Sequence, residues 1–160
     1  MYEKFGQFID GKWQASSNKE TYEVINPANE EVIGLASKAT PEDVDRALKS
    51  AEKGLEVWKK TSPWKRSSVI RKIADLIRAK QDVLAKWITL EVGKPFLEGK
   101  GEVGATADIF EWNSEETKRI YGQTVESRFE DTRIHVYYQP IGVVAAMSPW
   151  NFPLVLSGRK

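Results

Sequence analysis

The sequence predicts an α/β fold whose main sheet is entered only near the end of the chain, and three observations lead there. The stretch Ile141, Val143, Val144, Ala145 and Ala146 lacks the alternation of a half-exposed strand, so as a strand it should be covered on both faces, like a parallel strand. It runs straight into Met147-Ser148-Pro149-Trp150-Asn151-Phe152-Pro153, where prolines confine the backbone on both sides of Asn151 and Pro153 suits the first turn of a helix. Upstream, apolar residues recur at helical spacing between hairpin signals. In open α/β sheets, ligands bind where a strand end crosses to a helix start.

Taken in order, Gln7-Phe8-Ile9 and Lys12-Trp13-Gln14 flank Asp10-Gly11, a pair that supplies the positive φ angles of a tight hairpin turn. Tyr22 to Ile25 and Glu31 to Ala36 read as a second hairpin around Asn26-Pro27-Ala28-Asn29. Thr40-Pro41-Glu42-Asp43 opens a helix with a capping residue, a proline at the first position and acids in the first turn. Its apolar face carries Val44, Ala47, Leu48, Ala51, Leu55 and Trp58. Ser62-Pro63 opens the next, with Ile70, Ile73, Leu76 and Ile77 inward; a break near Gln81-Asp82 is expected before Leu84, Trp87 and Ile88 continue the pattern to a stop at Gly93 and Pro95.

A further helix is expected from Glu102 to Tyr121, with Val103, Ala107, Phe110 and Thr117 on one side and Gly122 at its end. Thr124 to Phe129 and Arg133 to Gln139 then read as a hairpin around Glu130-Asp131. Its second arm alternates Ile134, Val136 and Tyr138 with Arg133, His135 and Tyr137. No repeat, low-complexity tract or Gly/Ser linker interrupts this order.

Composition narrows the function. With 24 Lys and Arg against 23 Asp and Glu, no net field favours nucleic acid or an anionic membrane. The longest apolar run, Ile141 to Met147, falls far short of a membrane span, and Met1-Tyr2-Glu3-Lys4 starts no secretory signal, so a cytoplasmic protein is expected. With no cysteine and one histidine, no metal site is expected.

Pro149-Trp150-Asn151-Phe152-Pro153 after such an apolar stretch resembles the aldehyde dehydrogenase superfamily. Phe8-Ile9-Asp10-Gly11-Lys12-Trp13, Val24-Ile25-Asn26-Pro27-Ala28, Glu91-Val92-Gly93-Lys94-Pro95 and Gln139-Pro140-Ile141-Gly142-Val143 match its segments in the same order. The resemblance covers nearly the whole chain but only part of the family, whose members are longer and place their nucleophilic cysteine beyond position 160. It implies the N-terminal part of an aldehyde dehydrogenase-like fold, with a Rossmann-like cofactor domain begun but incomplete. Residues 1–123 would form the N-terminal part of that domain, 124–139 an oligomerisation arm, and 140–160 the first strand and helix start of its sheet. Read without the family, 124–139 is equally an ordinary surface hairpin.

The implied activity is oxidation of an aldehyde to its acid with NAD or NADP, in a homo-oligomer. Asn151 would donate a hydrogen bond to the oxyanion, a role a neutral amide fills without changing protonation; Asn before Pro at a helix start is also a cap. Ser148, Pro149, Trp150 and Asn151 would border the cofactor and Phe152 the aldehyde tunnel, although Trp150 and Phe152 also suit core packing. Phe110-Glu111-Trp112-Asn113-Ser114-Glu115-Glu116 and Lys118-Arg119-Ile120-Tyr121-Gly122 resemble the succinate-semialdehyde dehydrogenase branch, and Arg159 matches an arginine that grips the substrate's far carboxylate there. A surface arginine is the alternative.

Two further readings stay open. Gly99-Lys100-Gly101-Glu102-Val103-Gly104 spells the dinucleotide fingerprint, but no apolar strand precedes it, so its glycines serve either a flexible approach to the helix or close helix packing. The chain could also be a non-catalytic truncated module that self-associates or binds a partner through open strand edges. Either way, without a cysteine it is expected to be inactive alone.

Overall fold

Two hairpins, four helices, a third hairpin and a short fifth helix follow one another in a computed structural model that describes residues 6–160. The reading of Met1 to Lys4 lies outside the described residues. Strands β1 (Gln7–Ile9) and β2 (Lys12–Gln14) pair antiparallel, with Phe8 opposite Trp13 and their ring centroids 5.2 Å apart. Both turn residues have positive φ, Asp10 at 54° and Gly11 at 74°, the primed geometry that the Asp-Gly pair favours. Strands β3 (Thr21–Ile25) and β4 (Val32–Ser37) form the second hairpin, irregular between Val24 and Ile25.

Helix α1 (Pro41–Trp58) begins with a reciprocal cap: the Asp43 N–H donates to Thr40 Oγ1, and the Thr40 N–H donates to the Asp43 carboxylate. Asp43 is buried and also accepts from the Ser17 N–H, Gln7 Nε2 and Arg46, tying the first hairpin to the helix. The Thr40 N–H most of all, with the Ser17 N–H, Arg46 and Gln7, holds its carboxyl well below the usual range against the opposing effect of burial. The expected apolar face of α1 is only partly covered. Val44 and Leu48 remain about half exposed because α1 leans chiefly on β1.

The packed centre lies between α2 (Pro63–Ala79), α3 (Gln81–Val92) and α4 (Phe96–Glu116). Ala85, Ile88 and Val103 form its buried cluster, flanked by Ile77, Leu84 and Leu154. The break between α2 and α3 falls at Lys80, as the sequence predicts. Arg71 and Arg78 of α2 pair with Glu111, and Arg78 also with Asp108, along the outer edge of the α2–α4 contact.

Helix α4 starts earlier than expected, at Phe96, and ends at Glu116 before a 3-10 turn over Thr117–Arg119. Pro95 explains the start, because its extended backbone and missing N–H suit the position just before a helix. The glycine-rich letters therefore lie inside a helix and not in a loop. Gly99 is buried there: an added Cβ would stand 3.1 Å from the Ala85 carbonyl oxygen, so close packing of α4 on α3 is what this glycine serves.

Strands β5 (Gln123–Glu126) and β6 (Arg133–Val136) make the third hairpin, shorter than expected and exposed along its length. Thr124 Oγ1 and His135 Nδ1 meet across it at 3.1 Å, which places the histidine on the strand surface. The sharpest departure concerns residues 141–146. They form no strand; Ile141 is 93% exposed and Val144 66%. A strand exists only through a hydrogen-bonded neighbour, and no described segment pairs with this one. The three sheets among the described residues are two-stranded and antiparallel, and the resulting fold mixes helix and strand as the α/β assignment requires.

Candidate active site

The turn at residues 148–152 is fixed by side chains from elsewhere in the sequence. Helix α3 stops at Gly93, whose left-handed φ of 75° reverses the chain and lets its N–H donate to the Thr89 carbonyl. Pro95 then launches α4, so Lys94 is held in a three-residue connector, its side chain only 9% exposed. Two turns along α4 lies Glu102, fully buried. Lys94 Nζ donates to Glu102 Oε2 at 2.7 Å and to the Asn151 carbonyl oxygen at 2.9 Å, and sits 3.6 Å from the centre of the Phe152 ring. An ammonium has three donors, so two hydrogen bonds and one aromatic face use all of them.

Glu102 completes the arrangement from the opposite side. Its Oε1 accepts the backbone N–H groups of Leu154 at 2.9 Å and Val155 at 3.3 Å, at the opening of helix α5 (Pro153–Arg159). These are among the amides that a helix leaves unpaired at its start, and negative charge is favourable there. Leu154 packs on the Ala85, Ile88 and Val103 cluster beneath. The turn is thereby attached to the centre of the molecule through both charge and packing.

The predicted site residues fall around this anchor. Asn151 is exposed, and among the described residues its side-chain amide makes no hydrogen bond, leaving both donors and the carbonyl available. The cap position of α5 belongs to Phe152, without a side-chain cap bond, so Asn151 does not cap this helix. Phe152 has φ −139° and ψ 68°, outside helical values, so the helix proper begins at Pro153. Arg159 closes α5, exposed.

Trp150 is 79% exposed on the same turn, which removes the core-packing reading for it in this chain. Ser148 Oγ and Ser157 Oγ lie 2.7 Å apart. Because Ser157 donates to the Pro153 carbonyl at 2.6 Å, Ser148 is the donor of that pair. Ser148 thus keeps its acceptor lone pairs free, beside the open indole face of Trp150. Among the described residues no cluster of three His, Cys, Asp or Glu is arranged to hold a metal ion, and no helix is long and apolar enough to cross a membrane.

Sequence reading missed Lys94 and Glu102 as parts of the site. A signal existed: Glu102 shares the stripe of Gly99, Val103, Thr106 and Ala107 that α4 buries, and a carboxylate on a buried stripe requires a cation or amide donors. What the sequence could not supply was the contact across 57 residues between Lys94 and Asn151.

A family model described as "Aldehyde dehydrogenase family" matches residues 13–160. The chain is 42% identical over 153 residues to a glutarate-semialdehyde dehydrogenase of Pseudomonas aeruginosa, covering 96% of this chain and 32% of that protein. It is 40% identical over 152 residues to the succinate-semialdehyde dehydrogenase (NADP(+)) GabD of Escherichia coli K12, covering 95% and 32%. Among solved structures, a succinate-semialdehyde dehydrogenase from Burkholderia pseudomallei superposes with a TM-score of 0.91 at 39% identity, over 95% of this chain and 32% of that one. The chain thus spans about a third of the length of these relatives. With sequence and fold in agreement over nearly its whole length, the chain belongs to the aldehyde dehydrogenase family.

Proposed function

We propose that this chain supplies the oxyanion-binding turn of a dehydrogenase that oxidises a short semialdehyde bearing a distal carboxylate, with NAD or NADP as hydride acceptor. One observation carries the reading: the Asn151 amide stands unbonded on a turn whose backbone is held by Lys94 and Glu102. A donor aimed at developing charge is effective when it needs no rearrangement during reaction. Nucleophilic addition to the aldehyde carbonyl turns its oxygen into an oxyanion, and the Asn151 N–H donates to that oxygen. A nicotinamide cofactor, when bound, would supply the hydride acceptor that oxidation of the aldehyde to the acid level requires. Ser148, Pro149, Trp150 and Asn151 would border that cofactor and Phe152 the aldehyde, while Arg159 would pair with the distal carboxylate.

The names of the relatives support the substrate class, since they include glutarate-semialdehyde and succinate-semialdehyde dehydrogenases. This chain has no cysteine, so the thiol nucleophile used by the family would come from sequence outside it. The exposed hairpin of β5 and β6, with Tyr137 and Tyr138 beyond it, offers unpaired edges for a second subunit.

The test is Asn151→Ala in the full-length protein. The acylation rate should fall by about a hundredfold or more with cofactor affinity nearly intact, because the lost donor acts on the transition state. A large loss of cofactor binding with unchanged chemistry would instead make Asn151 a structural residue.

A further inference from the structure

The Lys94 and Glu102 pair does more than fill the interior. A buried ion pair is weak evidence for stability, because desolvating two charges offsets much of their attraction. Here each member also bonds to one short segment of chain, residues 151–155. Glu102 Oε2 takes the lysine while Oε1 takes Leu154 N–H and Val155 N–H; Lys94 takes the Asn151 carbonyl and the Phe152 ring. Four of the five residues from Asn151 to Val155 are thus gripped by one pair, and the ungripped one is Pro153, which has no N–H to offer.

At Asn151 the grip acts on the main-chain carbonyl and leaves the side-chain amide alone. The Asn151 carbonyl fixed at 2.9 Å and the amides fixed three and four residues later leave the intervening backbone little freedom. Both anchors come from rigid places: Glu102 from within α4, and Lys94 from a connector bounded by a left-handed glycine and a proline. We propose that Lys94 and Glu102 are positioning residues that set the backbone of the Asn151 turn through the Asn151 carbonyl and the Leu154 and Val155 N–H groups. Its catalytic consequence rests on the dehydrogenase reading; its structural half does not.

The experiment has two arms. In the first, amide hydrogen exchange and amide resonances of the 160-residue chain are followed residue by residue in wild type, Glu102→Ala and Lys94→Met. Glu102→Ala should speed exchange at Leu154 and Val155 by about tenfold or more while amides in the middle of α2 and α3 keep their rates. Lys94→Met keeps the carboxylate and the length of the stem, so it decides the matter even if Glu102→Ala does not fold. It should shift the resonances of Phe152, whose N–H follows the Asn151 carbonyl, and of Leu154, and leave those of α2 unmoved. Resonances at residues 151–155 that stay put in Lys94→Met, or uniform acceleration across all helices in both variants, would overturn the proposal.

In the second arm, Lys94→Met in the full-length protein should lower kcat for aldehyde oxidation by about tenfold or more, since small misplacements of a reacting group are costly. The dissociation constant for the cofactor should change by less than about twofold. An unchanged kcat would overturn the catalytic half. Absence of dehydrogenase activity in the wild type would sink the functional reading alone, because the exchange arm needs no turnover.

Discussion

The role proposed for Asn151 requires a donor that stays neutral and does not move, and the two halves of that requirement come from different residues. The amide supplies neutrality; Lys94 and Glu102 hold its main chain. Arg159 is the residue on which substrate choice would turn, being exposed at the end of the helix that Glu102 anchors. In the full-length protein, Arg159→Ala should lower kcat/KM for succinic semialdehyde by about tenfold or more relative to an uncharged aldehyde of equal length, as expected for losing a charge-assisted hydrogen bond. A ratio between the two substrates that does not change would leave only general aldehyde oxidation. At this scale the sequence singled out Asn151 and its neighbours because prolines and an apolar run frame them. It concealed Lys94 and Glu102 because their partners lie far along the chain.

Elements were legible where the signal is local. The Asp10-Gly11 turn, the Thr40 cap and the α2–α3 break each depend on a few adjacent residues, and each appears where expected. The start of α4 was misplaced because its glycines suggest a loop until Ala85 is seen to need the space that Gly99 leaves. Gly99→Val should therefore destabilise the chain by about 1–3 kcal/mol through overpacking, measured by chemical denaturation. An unchanged midpoint would mean that α3 and α4 can separate freely.

The α1 cap carries a pH dependence of defined sign. Because the folded state holds Asp43 below its ordinary value, its contribution is complete above the usual carboxylate range and fades as pH falls through it. The stability difference between wild type and Asp43→Asn should be largest above about pH 4 and shrink on acidification. A difference that grows toward low pH would contradict this account of the cap.

At the level of the whole molecule, the feature that sequence periodicity could not foresee is the bare segment 141–146. Its all-apolar pattern specifies burial, yet a parallel strand needs neighbours on both sides, and the described chain offers none. Together with the open edges of β5 and β6, this exposes apolar side chains and unpaired backbone groups that favour contact between copies. Sedimentation of the 160-residue chain should show concentration-dependent association; a monomer at all concentrations would count against these edges as interfaces. The chain spans about a third of its relatives' length and lacks cysteine, so turnover is expected of the full-length protein and not of this chain alone.

The most direct measurement is reduced-cofactor formation from succinic or glutaric semialdehyde with NAD or NADP, run in parallel on purified full-length protein and on residues 1–160. The account predicts stoichiometric acid and reduced cofactor from the first and none from the second. Turnover by residues 1–160, or a full-length protein that oxidises neither semialdehyde with either cofactor, would contradict it.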